Sequence, residues 1–164
     1  YFLNGERLNV NIDYISEKNP LGTGGALSLI KEKIEHDLIV INGDVMSNIS
    51  FKSLLNFHEK NKADATLVIR PFEQINPYGV VYVKNDRITH FEEKPIVKSN
   101  INAGIYVLKP YIIRELIQNE YITMPEILEK LIAKNKKVIA FPLHEEWVDI
   151  GSPSDLKKII AQKS

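Results

Sequence analysis

Pro20-Leu-Gly-Thr-Gly-Gly-Ala26, and beyond it the apolar run Leu38-Ile-Val-Ile41 that stops at Asn42-Gly-Asp44, decide how this chain reads. A glycine-dense turn can bring bare backbone N–H groups against a nucleotide base or a phosphate, because no side chain stands in the way. Leu38–Ile41 reads as a strand buried on both faces, of the kind found inside parallel sheets. Gly43 and Asp44 follow it at the strand end, where open α/β sheets bind their ligands. A carboxylate placed there suits a hard cation such as Mg²⁺. Loop and carboxylate together point to nucleotide chemistry.

Outward from that stretch, Asn9 to Tyr14 alternates polar and apolar, which predicts a short half-buried strand. Ala26 to Ile34 carries Leu27, Ile30 and Ile34 at helical spacing. Phe51, Leu54, Leu55 and His58 mark one face of a helix running to about Lys62, and the β-rich Ala65–Arg70 is expected to close at Pro71. Tyr78-Gly-Val-Val-Tyr-Val83 and Arg87–Phe91 read as a hairpin across Lys84-Asn-Asp86. Another β-rich run spans Asn102–Leu108. Helices are expected over 110–118 and 124–134, the second with Thr123 as N-cap, Pro125 in its first turn and Glu126 completing a capping box. A strand at Val138–Phe141, a short extended Trp147-Val-Asp149 and a last helix capped by Ser152 complete the chain. The alternation predicts a three-layer α/β fold, a mostly parallel sheet flanked by helices, with a β-rich insertion near 78–108.

Composition narrows the class. With 164 residues, the chain is expected to form one domain that buries a sizeable core. Its 21 basic and 21 acidic residues are interspersed, with no basic stripe of the sort that tracks a nucleic-acid backbone. No apolar run approaches the length of a bilayer span, so no membrane partner is expected, and no signal-peptide pattern opens the sequence. Cysteine is absent, which excludes disulfides, zinc–thiolate sites and thiol catalysis. A cytoplasmic enzyme is the default expectation.

Beyond the loop, four further segments carry polar chemistry. Asn42-Gly-Asp44 and Trp147-Val-Asp149-Ile-Gly151 each set an aspartate beside a strand end and a glycine. Two such carboxylates on one face would hold a metal that neutralises charge on a reacting phosphate. Glu92-Glu-Lys-Pro95 offers a carboxylate for sugar hydroxyls and a point cation for a phosphate oxygen. Tyr78-Gly79 and Asn102-Ala-Gly104 bring glycine backbone close to something, with an amide nearby. Blander readings exist for each: a Gly-Asp after a strand is more often a turn, Glu-Glu-Lys is usually a solvated face, and Asn-Ala-Gly can be a β-bulge. The glycine turn has the spacing of neither a dinucleotide fingerprint nor a P-loop. His36, His58, His90 and His144 are scattered and are assigned no chemistry.

Taken in order, however, Pro-Leu-Gly-Thr-Gly-Gly-Ala, Val-Ile-Asn-Gly-Asp, Tyr-Gly-Val-Val, Phe-Glu-Glu-Lys-Pro, Ile-Asn-Ala-Gly-Ile-Tyr, Met-Pro-Glu-Ile-Leu and Trp-Val-Asp-Ile-Gly-Ser-Pro resemble the sugar-phosphate nucleotidyltransferases, the family of mannose-1-phosphate guanylyltransferase. The resemblance covers essentially the whole chain. It implies a nucleotide-diphospho-sugar transferase-like fold and an enzyme that joins a nucleoside triphosphate to a sugar 1-phosphate, releasing pyrophosphate. It also implies residue roles. Leu21, Gly22, Thr23, Gly24 and Gly43 would meet the nucleotide, and Asp44 and Asp149 would hold Mg²⁺. Tyr78, Gly79, Glu93, Asn102 and Gly104 would line the sugar pocket, with Lys94 on the sugar phosphate; Asp44, Asp149 and Lys94 would be the catalytic set.

One departure stands beside the match. Members of the family open with a strand and a loop ending Gly-Thr-Arg-Leu, then a Lys-Pro, and nothing here corresponds. The expectation is therefore a partial domain, 1–164, lacking its first strand and triphosphate loop. Such a chain is expected to form a homo-oligomer, borrow a strand, or be accompanied by further residues. Two alternatives compete: a catalytically silent relative acting as a sugar-nucleotide-binding regulatory subunit, and a metal-dependent glycosyltransferase. The latter class usually shows Asp-x-Asp where this chain has Asn42-Gly-Asp44. The loop Leu21–Gly25 resembles the guanylyltransferase branch, since thymidylyltransferases more often carry Gly-Leu-Ala-Gln. Small residues and bare backbone leave room for a purine, so GTP is the expected donor.

Overall fold

A computed structural model describes residues 2–30 and 34–151. In chain order the elements are α1 (Gly22–Gly25), β1 (Leu38–Ile41), β2 (Val45–Ser47), α2 (Phe51–Lys60), β3 (Ala65–Ile75) and β4 (Val80–Lys84). They continue with β5 (Arg87–Glu92), β6 (Ile96–Leu108), α3 (Pro110–Arg114), α4 (Met124–Ala133), β7 (Val138–Pro142) and β8 (Trp147–Asp149). The chain divides into two compact units. One unit holds Tyr1–Leu38 with Leu108–Val138, the other Ile39–Val107 with Ile139–Ser164. Among the described residues no helix is long and apolar enough to cross a membrane.

The second unit carries the sheets. The main sheet is mixed, with parallel strands, in the order β1-β6-β3-β7, so the α/β class holds. Its core gathers Ile49, Leu54, Val68, Ala103, Ile105, Val107 and Leu143, with Val45, Phe141 and Trp147 packed against them. Ser50 caps α2 by accepting from the Ser53 N–H at 3.2 Å, and the helix buries Leu54 and His58. The His58 ring lies 2.7 Å from Thr66 Oγ1, inside the core.

Three expectations for these strands need correction or gain support. β1 is half-buried rather than covered on both faces, and Ile41 is exposed, because β1 stands at the edge of the sheet. β3 does not close at Pro71 but runs on to Ile75; the strand is exposed from Pro71 onward, where a missing N–H costs no buried partner. The hairpin forms as read. β4 and β5 pair antiparallel across Asn85 and Asp86, whose φ of 49° and 63° are the left-handed pair that a two-residue hairpin turn demands.

The first unit is helical and irregular. Thr123 caps α4 as the spacing predicts: its N–H donates to Glu126 Oε2 at 2.7 Å, and its Oγ1 accepts from the Glu126 N–H at 3.4 Å. Behind that cap α4 buries Met124, Ile127, Leu128 and Leu131. Lys109 pairs with Asp37 at 3.0 Å. α3 is shorter than expected and ends at Arg114. The strand expected over Asn9–Tyr14 is absent. That segment is irregular and mostly exposed, with Asn9 in a left-handed conformation (φ 56°) that breaks the extended run. The helix expected from Ala26 is a short 3-10 turn, Ala26–Leu29, and the helix expected from Ser152 lies outside the described residues.

Candidate functional site

The two aspartates stand 105 positions apart in sequence (149 − 44), and the second unit brings Asp149, on β8, next to the turn that carries Asp44 into β2. β2 and β8 form an antiparallel ribbon with Val45 opposite Asp149, Met46 opposite Val148 and Ser47 opposite Trp147. The Ile150 N–H donates to the Asp44 carbonyl at 2.8 Å, which ties the two backbones together at the carboxylate end. Both aspartates are exposed, and among the described residues neither carboxylate is engaged in a hydrogen bond or ion pair. No cluster of three or more His, Cys, Asp or Glu forms among the described residues, and the carboxylates described at this place are those of Asp44 and Asp149. That donor set fits Mg²⁺, which usually takes one or two carboxylates and completes its shell with phosphate oxygens and water.

A bend in β6 fits under this ribbon. Gly104 has φ +70°, and a Cβ there would lie 2.9 Å from Asn42 Nδ2 and 3.0 Å from Val45 Cγ2. Only glycine permits both the left-handed backbone and the close approach of the turn that carries Asp44. The Asn42 N–H donates to the Gly104 carbonyl at 2.9 Å. Asn102, assigned to the sugar, shapes this bend: its Oδ1 accepts from the Gly104 N–H at 2.8 Å, and its Nδ2 donates to the Tyr106 hydroxyl at 2.7 Å. Burial, the dominant cause, raises the Tyr106 pKa. Beside it, Trp147 Nε1 donates to the Ala103 carbonyl at 2.8 Å. Gly43 stands in open space: a Cβ there would meet nothing within 4 Å.

The other sugar-assigned residues meet at one end of the β4–β5 ribbon. Val80 pairs with Glu92, so Tyr78-Gly79 and Glu93-Lys94 emerge side by side. A Cβ at position 79 would lie 2.9 Å from Glu93 Oε2, so the glycine makes room for that carboxylate. Asn76 Oδ1 accepts from the Tyr78 N–H at 3.1 Å, and the Asn76 N–H donates to the Pro95 carbonyl at 3.0 Å, closing the loop. Lys94 adopts a left-handed φ of 48°, and Tyr78 is 75% exposed. Glu92, exposed on the same ribbon, accepts from the Tyr82 hydroxyl at 2.8 Å, which raises the tyrosine pKa.

The glycine loop belongs to the first unit and is held more tightly than its sequence suggests. The Ile122 N–H donates to the Leu21 carbonyl, and the Gly24 N–H to the Ile122 carbonyl, both at 2.9 Å. Thr23 Oγ1 accepts from the Met124 N–H at 2.9 Å, at the start of α4. A Cβ at Gly24 would lie 2.6 Å from Ile127 Cδ1, and one at Gly25 would lie 2.7 Å from the Glu120 carbonyl. Leu21 and Gly24 are therefore buried, while Thr23 is exposed and Gly22 half-buried. Sequence reasoning did not find the 120–124 segment as the partner of this loop, nor Glu17, whose carboxylate accepts from the Leu21 N–H at 2.8 Å. The collinear Met-Pro-Glu-Ile-Leu run was the available signal.

A mixed sheet with parallel strands flanked by helices is the architecture of an α/β nucleotide-sugar transferase fold, and comparison with known proteins places it further. The family model described as Nucleotidyl transferase matches residues 1–164, and the chain belongs to that family, among the sugar-phosphate nucleotidyltransferases. Mannose-1-phosphate guanyltransferase of Yarrowia lipolytica is 36% identical over 157 residues, 92% of this chain and 43% of that protein. Mannose-1-phosphate guanylyltransferase catalytic subunit beta of Danio rerio is 34% identical over 157 residues with the same coverage. The crystal structure of HddC from Yersinia pseudotuberculosis complexed with GMP-PN matches with a TM-score of 0.71 at 25% identity, covering 99% of this chain and 72% of that one. The chain thus spans about 43% of the length of the curated relatives it matches.

Proposed function

We propose that this chain is the catalytic part of an enzyme that joins a nucleoside triphosphate, GTP in particular, to a sugar 1-phosphate and releases pyrophosphate. One observation carries the reading: the β2–β8 ribbon, which sets Asp149 on β8 next to the turn that carries Asp44 into β2, with both carboxylates exposed and, among the described residues, unengaged. Those two residues would hold Mg²⁺, which neutralises phosphate charge when bound. An oxygen of the sugar phosphate attacks the α-phosphorus of the triphosphate, a new phosphoanhydride bond forms, and the bond to the departing pyrophosphate breaks. The protein's share of such a displacement is positioning and charge neutralisation. Lys94 would take the sugar phosphate, and Glu93 would accept from sugar hydroxyls, with Tyr78, Gly79, Asn102 and Gly104 shaping that pocket. Gly22 and Thr23 present backbone and a small side chain to a base, with Leu21 and Gly24 fixing the loop behind them.

The guanine preference rests on the absence of a bulky side chain in that loop and on the names of the similar proteins. The test is pyrophosphate release in Mg²⁺ by the complete reading frame that contains this chain, with GTP, UTP, CTP or dTTP against a panel of hexose 1-phosphates. Release with GTP above the others supports the full reading. Preference for a pyrimidine triphosphate overturns the guanine assignment alone, and no release with any pair overturns the activity.

A further inference from the structure

We infer that Arg70 and Trp147 form a clamp that fixes the direction of the Asp149 carboxylate at the end of the ribbon where the Asp44 turn enters it, making both of them positioning residues for the metal site; this rests on the reading of Asp44 and Asp149 as Mg²⁺ ligands. The ribbon geometry leads there. Asn48 N–H to Glu146 carbonyl and Ile150 N–H to Asp44 carbonyl flank the β2–β8 ladder at its two ends and keep its register. Hydrogen-bonded and non-hydrogen-bonded pairs alternate along an antiparallel ladder. With 48/146 and 44/150 as bonded positions, Ser47–Trp147 and Val45–Asp149 fall on the non-bonded ones, and the Trp147 carbonyl points out of the ribbon. Arg70 fills that vacancy: its guanidinium donates to the Trp147 carbonyl at 2.8 Å, and its charged carbon stands 5.5 Å from the centre of the indole ring. A single side chain thus grips the backbone and the ring of one residue.

The grip matters because of register. Trp147 and Asp149 are two residues apart on β8 and so share a face of the ribbon, with Ser47 and Val45 opposite them. Val45 and Trp147 pack against the core, and Met46 and Val148 on the other face are exposed. The core therefore decides which way the face turns, and Asp149 extends that same face beyond the core. The indole N–H adds a third tether, to the Ala103 carbonyl next to Gly104, whose bend receives the Asn42–Val45 turn. Arg70 lies half-buried on β3, so its contacts are shielded from water relative to a surface pair. Releasing it frees the Trp147 carbonyl and ring together and lets the short β8 strand rotate about its remaining bonds. Asp149 would keep its charge and lose its direction.

Manganese(II) titration of the 164-residue chain, with free Mn²⁺ followed by electron paramagnetic resonance, tests this directly. Trp147 is the only tryptophan, so its emission reports the clamp in the same samples. Wild type is compared with Asp149→Asn, Arg70→Met and Arg70→Lys, with circular dichroism checking the fold. Arg70→Met is expected to weaken Mn²⁺ binding about tenfold, as loss of an outer-shell partner typically does, and to shift the Trp147 emission. Arg70→Lys keeps a cation over the ring and should recover part of the affinity, which also covers the case in which Arg70→Met fails to fold. Wild-type Mn²⁺ affinity in both Arg70 variants, with binding abolished by Asp149→Asn, overturns the clamp and leaves the metal ligands standing. Wild-type chain that binds no Mn²⁺, or Asp149→Asn that binds it unchanged, overturns the ligand assignment and the clamp with it.

Discussion

The glycine loop and the carboxylate ribbon announce themselves equally clearly in the sequence, yet the fold treats them in opposite ways. In the loop, positions 24 and 25 have no room for a side chain, because Ile127 and the Glu120 carbonyl occupy it, and three hydrogen bonds tie the segment to residues 122–124. In the ribbon, Gly43 has open space around it, and the flanking carboxylates are exposed. Glycine in the loop serves close packing of the protein on itself. Glycine and aspartate in the ribbon leave a surface free for something from outside. A substitution in the first region should therefore register in folding, and one in the second in chemistry.

The sharpest way to break that contrast is Asp149→Ala. Turnover of the complete enzyme should fall by about 4 kcal/mol of transition-state stabilisation, roughly a thousandfold, if a metal-held phosphate is lost. Stability should stay within about 0.5 kcal/mol of wild type, the usual range for an exposed position. Pyrophosphate release and denaturant unfolding measured on the same variant decide it, and retained turnover would reduce the ribbon to a turn. Lys94→Met comes next. It keeps the length of the side chain and removes the charge, so KM for the sugar 1-phosphate should rise by about 30-fold, near 2 kcal/mol for a charge-assisted contact, with KM for the triphosphate unchanged. A mutant that loses triphosphate affinity instead would move Lys94 to the other substrate.

Gly24→Ala reverses the pattern. The new methyl meets Ile127 Cδ1 at 2.6 Å, and overpacking of this kind costs about 1–3 kcal/mol, readable as a lowered denaturation midpoint. Gly43→Ala is the matched control. With nothing near the new methyl, stability should move by less than about 0.5 kcal/mol, while any loss of turnover reports a ligand that needs the space. Equal stability losses at the two glycines would erase the distinction between the regions.

Local rules carried much of this into the sequence. The Thr123–Glu126 cap, the Asn85-Asp86 turn and the α2 face at Leu54 and His58 follow from spacing and residue type, because each is decided within one turn of chain. The strand reading of Asn9–Tyr14 failed because alternation is only half of what makes a strand; the other half is a partner strand, and the Ile12 N–H instead reaches back to the Asn4 carbonyl in a local turn. β3 ran past Pro71 because proline breaks a strand only where its missing N–H is needed. In the site, the residues were legible and their neighbours were not. Nothing near Asp44 in sequence signals that Gly104 bends beneath its turn, or that Arg70 and Trp147 meet, since those contacts join positions dozens of residues apart.

The smallest expected effect links the loop to pH. Glu126 accepts from the Thr123 backbone N–H, the leading reason its pKa is lowered, with the Thr123 hydroxyl adding to it and Lys130 contributing least. A carboxyl whose folded pKa lies below its unfolded one stabilises the fold fully above the unfolded value, near 4.3, and loses that contribution as the pH falls through the folded one. The same cap starts the helix whose first N–H, at Met124, donates to Thr23 in the glycine loop, so the loop's anchor depends on it. Glu126→Gln keeps a hydrogen-bonding side chain and removes the titration. Wild type should therefore melt slightly higher than Glu126→Gln at about pH 6, and the gap should close on acidification to about pH 3. Because Glu126 is fully exposed, added salt should narrow the gap as well. Melting temperatures of the two proteins across that range check it, and a gap that holds constant into acid would show that the cap acts without its charge.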